Sequence, residues 1–218
     1  MDIRNKKINF LGDSITEGHG CADPENCFAA RIARDYGAVC RNYGIGGTRI
    51  ARQKHPSEKP RHDLDFVGRY ADMDSDTDIV AVFGGVNDFG HGDAPLGYMD
   101  DRTPYTFYGA LHLLYTELIE RYPSARIVIF TPLHCCFEES RYGSGQKTVP
   151  SGLLIDYVRA IRQVAEYYSL PVLDLYAASG LQPNVPVIRE RYVPDGLHPN
   201  DEGHRVLAER ITAFFRSL

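Results

Sequence analysis

Asp78-Ile79-Val80-Ala81-Val82-Phe83-Gly84-Gly85-Val86-Asn87-Asp88 is an unbroken apolar run that stops at two glycines and a polar pair. The run does not alternate in polarity, so a strand made from it has both faces covered, as in a parallel sheet clad with helices. Ile127-Val128-Ile129-Phe130 repeats the pattern. These two segments are predicted to form the centre of a parallel sheet, and Asn87 then falls just past the carboxyl end of one of them.

Outward from this centre, strands are expected at residues 7–11, 38–42 and 171–175, with the central pair bounded at 78–83 and 126–131. Stretches of helical period separate them, at 27–36, 64–70, 106–122, 151–168 and 201–216. In the third, Leu111, Leu114, Leu118 and Ile119 fall on one face and Pro123 stops the helix. In the last, Val206, Leu207, Ile211 and Phe214 make the predicted buried stripe, with Pro199-Asn200-Asp201 as its start. Strands alternating with amphipathic helices place the chain in the α/β class. No repeat, low-complexity tract or flexible linker interrupts it, so residues 1–218 read as one domain. Segments 49–62, 89–104 and 132–150 resist assignment. Each follows an expected strand end, where long loops tend to carry function.

Charge and composition narrow the partners. A formal net charge of −5 leaves no basic field to neutralise phosphates, and no Lys/Arg block is interleaved with aromatics, so nucleic acid is not expected as a partner. No apolar stretch reaches the length of a membrane span, and the N-terminus lacks the apolar run of a signal peptide. The 5 cysteines are an odd number at irregular spacing, which prevents complete pairing within one chain and fits a reducing, cytoplasmic setting. The vicinal pair Cys135-Cys136 has neither zinc-site nor C-x-x-C spacing.

The chemistry-bearing residues gather at expected strand ends, where an open parallel sheet binds its ligands. Ser14 follows the first strand, Gly47 the second and Asn87 the third, while Asp195 and His198 follow the fifth across a loop. A serine hydroxyl needs a base to become a nucleophile, and His198 has an acid three residues before it. Asp195 would fix the imidazole tautomer and stabilise the imidazolium. The backbone N–H groups of Ser14 and Gly47, with the Asn87 amide, would supply three donors to an oxyanion. Taken singly each fragment has a plainer reading. Gly12-Asp13-Ser14 is a common turn, the glycines at 44, 46 and 47 could serve a tight turn or cradle a phosphate, and Asn87-Asp88 could cap a helix. Asp195 and His198 could be a surface pair or metal ligands. Their joint occurrence, in order and each past a strand, favours a serine hydrolase.

At these residues the chain resembles the GDSL/SGNH hydrolase superfamily over almost its whole length. The blocks read Phe10-Leu11-Gly12-Asp13-Ser14-Ile15-Thr16, Asn42-Tyr43-Gly44-Ile45-Gly46-Gly47-Thr48, Gly84-Gly85-Val86-Asn87-Asp88 and Asp195-Gly196-Leu197-His198-Pro199, with Ile15 where the family name has Leu. The resemblance implies a three-layer α/β/α, flavodoxin-like sandwich on a five-stranded parallel sheet. It implies ester hydrolysis through an acyl-enzyme, with Ser14 as nucleophile, His198 and Asp195 completing the triad, Ser14, Gly47 and Asn87 forming the oxyanion hole, and neither cofactor nor metal. Gly47, five residues after Asn42, is chosen over Gly46 by the family block.

The family acts on many esters, so the substrate rests on weaker features. Compact size and the expected compartment resemble enzymes that deacetylate imported oligosaccharides, and also acyl-CoA thioesterases and lysophospholipases. The segments Phe89-Gly90-His91-Gly92-Asp93 and 134–142 are polar and aromatic, which suits stacking on a sugar better than an acyl tunnel. His134, Arg49, Tyr142, Arg191 and Tyr192 are candidates for the pocket rim. The expected substrate is therefore a small ester, an acetylated carbohydrate foremost. A thioesterase or lysophospholipase and a non-catalytic binding module are the alternatives, and homo-oligomerisation is left open by the family's range.

Overall fold

A computed structural model describes residues 1–218. The chain runs β1 (Lys7–Gly12), α1 (Ser14–Glu17), α2 (Phe28–Tyr36), β2 (Val39–Gly44), α3 (Phe66–Arg69), β3 (Ile79–Phe83), α4 (Val86–Gly90) and α5 (Phe107–Arg121). It continues through β4 (Arg126–Phe130), α6 (Leu154–Tyr167), β5 (Val172–Leu173), α7 (Leu175–Ala178), α8 (Pro186–Tyr192) and α9 (Asp201–Ser217). The five strands are all parallel, in the order β2-β1-β3-β4-β5.

The unbroken apolar run behaves as expected of a doubly covered strand. Ile79 to Phe83 is buried at every position. Val80 and Val82 join one core with Leu111, Leu114 and Leu118 of α5 and Val158, Ile161 and Val164 of α6. Ile79, Ala81 and Phe83 join a second core with Phe28 and Ile32 of α2 and Leu207, Ile211 and Phe215 of α9. The sheet is thus the middle of three layers, the α/β/α sandwich expected. Phe10 meets Phe28 edge to face with ring centres 5.2 Å apart, a favoured aromatic geometry.

Several boundaries depart from the sequence reading. Only Val172–Leu173 pairs in the fifth strand, because Asp174 caps the next helix by accepting from Ala177 N, and Leu175 turns into α7. The helix expected from 151 begins at Leu154, where the Asp156 carboxylate accepts from Leu153 N at 2.9 Å. The helix expected over 64–70 shortens to α3, whose start is capped by Asp65. Ile119 is exposed, while Phe215 rather than Phe214 is the fully buried aromatic of α9. The short helices α1, α4, α7 and α8 lie outside the expected set. They are too brief to carry a periodic pattern.

The strand order fixes where a ligand can sit. After β1 the chain builds β2 on one flank and returns to place β3 on the other, so the order reverses between β1 and β3, the switch point at which open α/β sheets bind ligands. Gly12 pairs in register with both Gly44 and Phe83. The loops bearing Ser14, Gly47 and Asn87 therefore leave the sheet at one level.

Candidate active site

Ser14 is the first residue of α1, whose start is capped by Asp13 Oδ1 accepting from Ile15 N at 3.0 Å. That local turn leaves the Ser14 N–H without an acceptor, as a first-turn amide is. Ser14 Oγ lies 3.0 Å from His198 Nε2, and His198 Nδ1 lies 2.7 Å from Asp195 Oδ2. Asp195 Oδ1 accepts from the backbone N–H of Leu197 at 2.8 Å and of His198 at 2.7 Å. One tight turn thus holds acid and imidazole together. Gly196 makes it possible, with φ +82°.

The charges suit a proton-accepting imidazole. Burial pushes the Asp195 carboxyl upward, but the two backbone N–H donors and the imidazole outweigh it and hold the group below its ordinary value. An ionised Asp195 keeps the proton on Nδ1 and leaves the Nε2 lone pair facing the serine hydroxyl. Such a hydrogen-bonded line can deprotonate Ser14 as it attacks a carbonyl.

The second and third loops bring N–H donors to the same edge. Gly46 N–H is taken by Glu17 Oε2 at 2.7 Å. Gly47 N–H has no acceptor, which separates the two glycines on geometry. Gly47 adopts φ +78°, and a Cβ there would overlap the His62 ring. Asn87, the second residue of α4, donates from Nδ2 to Thr48 O at 3.1 Å and receives His91 Nε2 on Oδ1 at 3.1 Å. One amide hydrogen of Asn87 stays free. Its neighbour Asp88 is structural, since its two oxygens accept from Ile50 N and Ala51 N, each at 2.9 Å.

Residues outside the family blocks complete the setting. Arg69, buried, donates from Nη2 to Gly12 O and from Nη1 to Tyr43 O, both at 2.6 Å, tying together the ends of β1 and β2. Desolvation lowers its guanidinium to about 10, against the pull of Asp13 and Asp65. Asp13 is pushed by burial to about 6, with Ile15 N–H, His198 and Arg69 acting the other way. His91 carries the one missed signal that was readable, since it lies four residues from Asn87 along a helical turn. Arg69 and His62 reach the site only through the tertiary fold.

The rim candidates divide. Arg49 is buried and bonded to His91 and Asp63. Tyr142 is exposed, and the Arg191 guanidinium stacks over the Tyr192 ring. His134 Nδ1 lies 2.6 Å from Glu138 Oε2, with its ring on Tyr176. Phe89 corrects the sugar-stacking expectation: it is fully buried, with its ring parallel to that of Phe137. A cavity of about 550 Å³ has His62, His91, Arg49, Gln53 and Lys59 among its walls and no hydrophobic side chain, and two of those walls reach the site, His62 lying against Gly47 and His91 bonding Asn87. It shares His55, His91, Asp93 and Gln146 with a neighbouring cavity of about 770 Å³. No group of three or more His, Cys, Asp or Glu side chains converges as a metal site would require.

Comparison with known proteins agrees with this architecture. No curated protein shows significant sequence similarity to the chain. A solved crystal structure 34% identical, covering 100% of this chain and 99% of its own, superposes with a TM-score of 0.85. A protein from Lactobacillus plantarum is 32% identical over 99% of this chain and 98% of its own, with a TM-score of 0.83. A two-domain esterase active on acetylated mannans is 22% identical over 97% of this chain and 48% of its own, with a TM-score of 0.65, a likeness of fold. The family model described as GDSL-like lipase/acylhydrolase matches residues 10–206. With that match spanning the Ser14, Gly47, Asn87 and His198 blocks on the expected fold, the chain belongs to the GDSL-like lipase/acylhydrolase family.

Proposed function

We propose that the protein is a serine esterase that removes short acyl groups, acetyl foremost, from a carbohydrate. The observation that carries this reading is the line Ser14 Oγ, His198 Nε2, His198 Nδ1, Asp195 Oδ2, with links of 3.0 and 2.7 Å. His198 takes the hydroxyl proton as Ser14 Oγ bonds to the ester carbon, and the carbonyl oxygen becomes an oxyanion received by Ser14 N–H, Gly47 N–H and the free Asn87 amide hydrogen. Collapse breaks the bond to the alcohol, which leaves with the proton from His198 Nε2. Water, deprotonated by His198 Nε2, then bonds to the acyl carbon, and the bond to Ser14 Oγ breaks as that oxygen takes the proton back from His198, releasing the acid. Asp195 stays ionised throughout.

The polar cavity walled by His62, His91 and Arg49 favours a sugar over a long acyl chain, which would need apolar walls. Activity on acetylated mannans in a protein of similar fold is consistent with that choice. Residues 1–218 act in this reading as one catalytic domain with a small-molecule substrate in the cytoplasm.

The test compares wild type with Ser14→Ala on p-nitrophenyl esters of increasing chain length and on an acetylated xylo-oligosaccharide. Expected are a fall in rate from acetate onward, turnover of the acetylated sugar, and a loss on the order of ten-thousandfold or more in Ser14→Ala. A preference for octanoate moves the substrate to a thioesterase or lysophospholipase class. Activity indifferent to Ser14 overturns the mechanism.

A further inference from the structure

An asparagine in an oxyanion hole is useful only when its NH2 end, not its carbonyl, faces the reacting atom, and the two ends have nearly the same shape. Here Asn87 is held at both ends. Nδ2 donates to Thr48 O at 3.1 Å, and Oδ1 receives His91 Nε2 at 3.1 Å. Exchanging the ends would set carbonyl against carbonyl at Thr48 and N–H against N–H at His91, losing two hydrogen bonds and gaining two repulsions.

That hold works only if His91 carries its proton on Nε2. Arg49 Nη1 lies 3.3 Å from His91 Nδ1, and a guanidinium has donors and no acceptor, so Nδ1 must offer its lone pair. Arg49 is itself fixed: Nη2 donates to Asp63 Oδ1 at 2.8 Å, and Asp63 Oδ2 accepts from Ser57 N at 2.8 Å. Asp63 thus anchors Arg49, and from Arg49 a series of donations runs one way, to His91 Nδ1, from His91 Nε2 to Asn87 Oδ1 and from Asn87 Nδ2 to Thr48 O. One short segment serves it three times, with Gly47 supplying an N–H, Thr48 the carbonyl anchor and Arg49 the guanidinium.

We propose that His91 is a positioning residue of the oxyanion hole, held in one tautomer by Arg49 and thereby fixing the orientation of the Asn87 amide. Burial, with Arg49, His62 and Lys147 nearby, keeps the imidazole neutral down to about pH 4. The inference rests on the serine-esterase reading, and the role assigned to His91 is to raise kcat through Asn87.

The experiment is a double-mutant cycle on p-nitrophenyl acetate with His91→Leu, His91→Gln, Asn87→Ala and Asn87→Ala/His91→Leu, with melting curves for each. Expected is a fall in kcat of about tenfold to a hundredfold in His91→Leu, with KM within about twofold. His91→Gln, whose amide can donate to Asn87 and accept from Arg49, should recover most of that loss. In the Asn87→Ala background, replacing His91 should change kcat by less than about twofold. If His91→Leu does not fold, His91→Asn, one carbon too short to reach Asn87 Oδ1, runs the same cycle. Wild-type kcat in the single variant, or losses that multiply independently with Asn87→Ala, would overturn the proposal while leaving the esterase reading intact. Wild-type activity that does not depend on Ser14 would overturn both.

Discussion

His91 shows how far one side chain's protonation reaches. Its imidazole is lowered from the ordinary 6.5 to about 4, chiefly by burial and then by Arg49 and His62. Between those values the unfolded chain binds the proton and the native state does not, so native stability is full above pH 6.5 and is lost as pH falls toward 4. The size is on the order of 3 kcal/mol at most. Asp13 and Asp88, raised by burial to about 6 and about 7, act with the opposite sign, since their native states hold protons that the unfolded chain releases. The informative quantity is therefore the difference between wild type and His91→Gln in urea unfolding. Any advantage of wild type should shrink between about pH 7 and about pH 4. A difference independent of pH would refute the shift. At this scale the sequence was most legible where chemistry restricts residue type, as at Ser14, Asp195 and His198. Arg69 and His62 were not legible because their partners, the carbonyls of Gly12 and Tyr43 and the backbone of Gly47, are brought near only by folding.

Among the elements, the central strands and long helices declared themselves, because a continuous apolar run or a stripe of helical period states what each face meets. Val172–Leu173 did not, since the helix cap at Asp174 competes for the same residues and wins. Capping is itself testable. Thr106 Oγ1 accepts from Gly109 N at 3.1 Å at the start of α5, the helix that supplies Leu111, Leu114 and Leu118 to one core. Thr106→Ala should lower unfolding stability by about 1 kcal/mol. Esterase activity should be unchanged, because the Thr106 hydroxyl bonds the start of its own helix and none of Ser14, Gly47, Asn87, Asp195 or His198. Unaltered stability would show that another acceptor or water takes over the cap.

For the whole molecule, the order β2-β1-β3-β4-β5 converts separated sequence blocks into one edge. Two cores, one on each face, fix the sheet, and the chemistry is confined to loops that leave it at the level of Gly12, Gly44 and Phe83. No helix is long and apolar enough to cross a membrane. The layered fold was readable in the alternation of strands and helices, whereas the polar cavity walled by His62, His91 and Arg49 was not, because its walls come from the segments that carry no periodicity. The central claim is that Ser14 becomes covalently acylated. Rapid acid quench of the protein during turnover of p-nitrophenyl acetate, followed by peptide mass analysis, should find one acetyl group on the peptide containing Ser14 and none in Ser14→Ala. Full turnover with no acyl on that peptide, or the label on another residue, would contradict the account.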